Sequence, residues 1–116
     1  MAHVLETESG KSSAASLMQE LKGTGIESLL VRRDGILIHS TVTLDEHVPS
    51  VASSLANVSD AMVKSFNDEQ KEIELMFDGI YFVILPLGNY LLCGIVKDRE
   101  TKKEMRSCAE NLKALG

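Results

Sequence analysis

Two Asp-Gly pairs, Asp34-Gly35 and Asp78-Gly79, each stand between runs of apolar residues, and they constrain the fold more than any other feature. An Asp-Gly pair flanked in this way favours a tight hairpin turn in which both central residues take positive φ. RDGILI and FDGIYF therefore predict matching turns in two separate hairpins. In the first hairpin Leu29 and Val31 oppose Leu30, and Ile36 and Ile38 oppose Leu37. Strands that are apolar on both faces are covered on both faces. The expected class is α+β, a three-layer α/β/α sandwich around one five-stranded antiparallel sheet.

The covering helices follow from periodicity. Residues 1–11 read as a flexible N-terminal segment, with Gly10 breaking any earlier helix, ahead of a single domain over residues 12–116. From Ser12 the positions Ala14, Leu17, Met18 and Leu21 keep helical spacing, with Ser12 or Ser13 as the cap and Gly23 as the stop. The longest helix lies in Asp45–Phe66 and is expected from about Pro49, which is tolerated only in a first turn. Val48, Val51, Leu55, Val58, Ser59, Met62 and Phe66 form its apolar stripe, expected to lie on the sheet. Small residues flank that stripe, Ser54, Ala61 and Ser65 in one row, Ala52 and Ala56 in the other. Such a row either faces water or lets a helix of a second subunit approach closely.

Lys71–Phe77 then reads as a strand with Ile73, Leu75 and Phe77 inward. Glu72 and Glu74 face the other way, as charges on an edge strand do. Ile80–Leu85 and Tyr90–Lys97, joined through Gly88-Asn89, complete a meander. Asp98 is placed to cap a last helix, with Met105, Cys108, Ala109, Leu112 and Leu115 on one face and Gly116 at its end. The order of elements is αββαβββα.

Charge and motif content narrow the chemistry. A net charge of −5 and a pI near 5.1 argue against nucleic-acid binding, which needs a basic contact face. Lys97, Arg99, Lys102, Lys103 and Arg106 form a local basic cluster, either a solvated helix face or a docking patch for an acidic partner. Cys93 and Cys108 match neither zinc nor redox spacing and read as buried thiols in a reducing compartment. The start of the chain lacks a secretion pattern, and Pro86, Gly88 and Asn89 interrupt the apolar run Ile80–Val96, so a cytoplasmic protein without membrane insertion is expected. Gly10-Lys11-Ser12 resembles the end of a phosphate loop, but Leu5 stands where the first glycine belongs. His39 and His47 have no evident orienting carboxylate. No catalytic residue, cofactor or metal site is expected. Arg32 and Arg33, adjacent on a strand, point to opposite faces; they serve either solubility at the hairpin tip or contact with a partner's carboxylate or phosphate.

Taken together, the hairpin RDGILIHS, the passage TVTLDE into a long helix rich in small residues, and the strands FDGIYFVILPLGNYLLCGIVKD resemble the roadblock family. That family includes dynein light chains and prokaryotic regulators of Ras-like GTPases. The resemblance covers 12–116 and implies a profilin-like/roadblock fold with strand order 2-1-5-4-3. It further implies a dimer, with itself or a paralogue, built on the long helix and the third strand. The interface residues implied are Val51, Ser54, Val58, Ala61 and Ser65 with Lys71, Glu72, Ile73, Glu74, Leu75, Met76 and Phe77. A non-enzymatic scaffold or regulator that binds a Ras-like small GTPase and modulates its cycle is the function expected. If the edge strands of such a homodimer pair antiparallel, Glu72 and Glu74 come near their symmetry mates, and like charges opposite each other cost stability; either a neighbouring Lys71 offsets this, or the register keeps them apart, or the homodimer is weak. The alternative is a profilin-like or PAS-like small-molecule sensor, which requires an interior cavity with converging polar groups.

Overall fold

The computed structural model describes residues 4–115. Its five antiparallel strands are β1 (Glu27–Arg32), β2 (Leu37–Ser40), β3 (Ile73–Phe77), β4 (Ile80–Leu87) and β5 (Tyr90–Val96). They lie in the order β2-β1-β5-β4-β3, as expected from the roadblock resemblance. Helices α1 (Glu8–Gly23) and α3 (Lys102–Leu115) cover one face, and α2 (Val48–Ser65) covers the other.

The double apolar character of the strands generates two cores. Leu30, Val83, Leu85 and Leu92 join Ala14, Met18 and Leu21 of α1 and Met105, Cys108, Ala109 and Leu112 of α3. On the opposite face Leu29, Val31, Ile84, Leu91 and Cys93 meet Ala52 and Ala56 of α2. Gly94 on β5 makes room for α3: a Cβ there would come within 2.7 Å of Met105 Sδ.

The two Asp-Gly turns do not match. Asp78 and Gly79 both have positive φ (48° and 74°), giving a two-residue turn that closes on the Phe77–Ile80 pair. At the first turn Gly35 has φ of 96° but Asp34 does not enter the left-handed region. There the Gly35 N–H donates to Arg32 O and the Arg32 N–H to Ile36 O, both at 2.8 Å, so the loop has three residues. The difference arises from side chains: Asp34 is held by the Arg32 guanidinium, and the Arg33 carbonyl is turned onto α2.

The N-terminal segment also departs from expectation. Helix α1 starts at Glu8, before Ser12, and its cap is Thr7, whose hydroxyl accepts from the Gly10 N–H at 3.0 Å. Gly10 does not break the helix; it sits buried in the first turn, where a Cβ would collide with Val4 O. Ahead of it a 3-10 turn, Val4–Glu6, buries Leu5 in the first core. The part of the expected flexible segment at residues 1–3, and the helix stop at Gly116, lie outside the described residues.

The largest correction concerns α2. Its sheet-facing side is Pro49, Ala52, Ser53 and Ala56, while Val51, Val58, Met62 and Phe66 of the expected core stripe are exposed. Periodicity groups the stripe correctly, and Leu55 at its margin does pack half-buried against the second core, but the main direction of the stripe is outward. The strand side chains beneath the helix are large, so only small residues let its axis come close. Polar contacts fix the rotation: Ser53 Oγ and Asn57 Nδ2 both donate to the Arg33 carbonyl. Ala56→Leu is therefore expected to cost ~1–3 kcal/mol by overpacking, read from urea or thermal unfolding. A neutral result would mean that the helix faces the other way.

Candidate functional site

The exposed stripe of α2 continues onto the sheet edge. Strand β3 has a neighbour on one side only, and its inward row, Leu75 and Phe77, is left incompletely covered. Val48, Val51 and Leu55 of α2 face Leu75, Phe77, Ile80 and Phe82 across an open groove of about 470 Å³. Asp45 and His47 stand at one end, and the remaining lining is apolar, so no set of polar groups converges as a small-molecule sensor would require. Beyond the groove Val58, Met62 and Phe66 stay in water, Phe66 at 80% exposure. A contiguous apolar surface of this kind marks an interaction face.

The residues expected at an interface are distributed as follows. Val51, Ser54, Val58, Ala61 and Ser65 are all exposed on α2, as are Lys71, Leu75, Met76 and Phe77 at the edge. Ile73 is half-buried against the second core. Val51, Leu75 and Phe77 come together around the groove. Met62 and Phe66, expected in the core, belong instead to this face; their helical spacing with Val51 and Val58 identifies the stripe without revealing which layer it meets.

Glu72 and Glu74 turn to the opposite face, where α3 meets them. Lys102 Nζ lies 2.9 Å from Glu72 Oε2 and also bonds Glu74 Oε2. Arg106 Nη2 reaches Glu72 Oε1 at 2.7 Å, and Arg99 Nη2 reaches Glu74 Oε1 at 3.2 Å. Arg99 also lies over the Tyr81 ring, 5.4 Å from its centroid. Three members of the basic cluster thus serve an internal ion network. The Lys102 side chain is only 11% exposed, which limits solvent screening. Hydrogen bonding to Glu74 raises its pKa against the effect of burial. Partial burial pushes the Glu72 carboxyl up, but the bonds from Lys102 and Arg106 outweigh it and hold the group below its ordinary 4.5. Asp98 stands ahead of α3, and its carboxylate accepts from the Thr101 N–H at 2.9 Å, capping the lead-in turn instead of the helix itself.

Arg32 and Arg33 do point to opposite faces. Arg32 forms a paired bond to Asp34 and reaches Glu6 Oε1 at 2.8 Å, while Glu6 also accepts from the Tyr90 hydroxyl. The Arg32 bond holds the Asp34 carboxyl below its ordinary range. Burial, followed by the bond to Glu6, pushes the Tyr90 phenol up to about 12. Arg33 donates to Gly88 O at 2.6 Å and to Gln70 Oε1 at 3.0 Å, and Gln70 in turn donates to Ala56 O. Both guanidinium groups are engaged within the chain.

Cys93 and Cys108 are free and buried, their thiols pushed up by burial to about 12 and about 11. His39 is half-buried and His47 exposed, and Lys11 lies within α1. Among the described residues no three or more His, Cys, Asp or Glu side chains are grouped to hold a metal ion. No helix among them is long and apolar enough to cross a membrane.

The Roadblock/LC7 domain pattern matches residues 15–97. The chain belongs to the Roadblock/LC7 family. Solved structures support the same fold for this roadblock chain. Myxococcus xanthus MglB is 14% identical, with 94% of this chain and 91% of that one covered, at a TM-score of 0.84. An MglB with a tetrameric arrangement is 17% identical over 90% and 88%, at 0.78. Acanthamoeba castellanii profilin II, 12% identical over 83% and 92% at 0.62, places the roadblock fold beside that of profilins. No curated protein matches the sequence.

The ion network makes a prediction. A carboxyl whose folded pKa is depressed stabilises above its unfolded value, and that contribution is lost as pH falls through the folded one. Thermal unfolding followed downward from pH ~4.5 should show a falling midpoint, and Glu72→Gln should flatten that dependence.

Proposed function

We propose that this roadblock chain is a non-enzymatic regulator or scaffold that pairs with a second roadblock chain and binds a Ras-like small GTPase in the cytoplasm. The observation that carries the reading is the uncovered apolar face of α2, continuous with the free edge of β3. A soluble domain of this size rarely leaves Val51, Val58, Met62 and Phe66 in water on one helix face without a partner for them. Family membership supplies the kind of partner. The tetrameric arrangement of one MglB neighbour supports self-association as the form of assembly.

The pairing interface of the proposal comprises Val51, Ser54, Val58, Ala61 and Ser65 with Lys71–Phe77. Extending the sheet across β3 satisfies its unpaired backbone groups and covers Leu75 and Phe77. Arg32 and Arg33, bonded within the chain, have a subordinate part as partner contacts. The GTPase contact is assigned to the C-terminal end of the same exposed α2 stripe, Met62 and Phe66, which lie beyond the pairing residues named above.

Light scattering at micromolar concentration is expected to give a dimer, and Val58→Glu a monomer with unchanged far-UV circular dichroism. A monomeric wild-type chain sinks the interface. For the second part, the immobilised chain is expected to retain a Ras-like GTPase from native lysate in a nucleotide-dependent manner, compared between GDP and a GTP analogue. Recovery in neither state, or equal recovery by the Met62→Glu/Phe66→Glu variant, counts against GTPase regulation through α2.

A further inference from the structure

The edge that would pair carries two carboxylates on one side, Glu74 in β3 and Glu72 immediately before it. The Asp78-Gly79 turn closes on a hydrogen-bonded Phe77–Ile80 pair, so Ile73, Leu75 and Phe77 direct their backbone groups to β4. Glu74 and Met76 direct theirs to the free edge. A two-fold antiparallel pairing through those groups opposes Glu74 to its own counterpart, to Met76 or to Glu72, according to register. In each case Glu72 and Glu74 of both copies share one face and one row of neighbouring positions. Left bare, this row would disfavour a second copy and leave the edge to a basic strand from elsewhere.

The row is not bare. Lys102, Arg106 and Arg99 bring three positive charges to two negative ones, and every carboxylate oxygen of the pair has a cationic partner. All three cations come from α3 or the turn before it, on the face away from the groove, so none occupies the free backbone edge. We propose that this α3 cluster is a specificity device: by neutralising Glu72 and Glu74 it makes the β3 edge acceptable to a second copy of this chain. The inference rests on the pairing reading above and deepens it, naming the partner as an identical chain. Met76, exposed between the acidic row and the tip, adds no charge to the seam. Leu75 and Phe77 form the apolar side of the same seam, continuous with the α2 stripe.

Sedimentation equilibrium at a temperature where all variants are folded tests this. Lys102→Met/Arg106→Gln is expected to weaken the dimer about tenfold by exposing like charges at the seam. Adding Glu72→Gln/Glu74→Gln to that background should restore wild-type affinity. That fourfold arm separates charge masking from simple clamping of α3, because a clamp, lost in both variants, would leave the dimer weak in both. A folded Lys102→Met/Arg106→Gln with unchanged dimer affinity overturns the proposal. Should that variant fail to fold, Arg99→Gln/Arg106→Gln, which keeps Lys102, takes its place: a weakened dimer restored by adding Glu72→Gln/Glu74→Gln upholds the proposal, and unchanged affinity, or a weakening that this addition does not relieve, overturns it. A monomeric wild type removes the pairing reading itself, whereas a wild-type dimer indifferent to the cluster removes only this inference.

Discussion

The seating of α2 on the sheet through Ala52, Ser53 and Ala56 is the constraint on which the rest of the molecule depends. Leu29, Val31, Ile84 and Leu91 already fill the space above the strands, so a helix can approach only with a side that has almost no bulk. An α-helix with its small residues downward must carry its large ones elsewhere. Val51, Val58, Met62 and Phe66 are displaced outward by geometry, and the exposed face follows from the core. A hydrogen-bond acceptor fixes the rotation: Ser53 and Asn57 converge on the Arg33 carbonyl, and Gly35 lies against Ser50, where a Cβ would stand 3.3 Å from its Cα. The first hairpin and the long helix therefore hold each other in place.

That mutual hold explains how much could be read from the chain alone. Two apolar-flanked Asp-Gly pairs specify two hairpins, and strands apolar on both faces require two helical layers; both follow from local sequence and both are present in the fold. The direction of the α2 stripe is a different kind of fact. Period 3.6 identifies which residues share a face but not whether that face or its small-residue neighbour meets the sheet, because the choice depends on strand side chains distant in sequence. Ala52 and Ala56 beside a stripe of Val and Met carried the signal, since a helix rich in alanine on one side can lie closer there than on its bulky side. The turn type at Asp34 was illegible for a similar reason, being set by the Arg32 bond and by α2 and not by the dipeptide.

The N-terminal region shows the opposite failure, a local rule applied too literally. Glycine weakens a helix interior by ~1 kcal/mol relative to alanine, but near a capped first turn its lack of a side chain lets the preceding chain cross tightly. Gly10 admits Val4 O where no Cβ could stand, so Leu5 enters the core and Glu6 reaches Arg32 and Tyr90. A residue read as a break is what allows the segment before it to belong to the domain.

The two faces of β3 then carry different burdens for the same edge. Odd positions Ile73, Leu75 and Phe77 grade from half-buried to exposed along the strand and merge with the groove under α2. Glu74 on the other face, with Glu72 immediately before the strand, meets Lys102, Arg106 and Arg99 of the opposite layer. An edge strand with free carboxylates on one face and free apolar side chains on the other would be poorly suited both to water and to a like strand. Neutralising the charged face from α3 leaves an edge whose remaining demands, backbone hydrogen bonds and apolar cover, are the two that a roadblock partner can meet. The helix that packs away from the proposed interface thus has as much to do with its chemistry as the helix that lies in it.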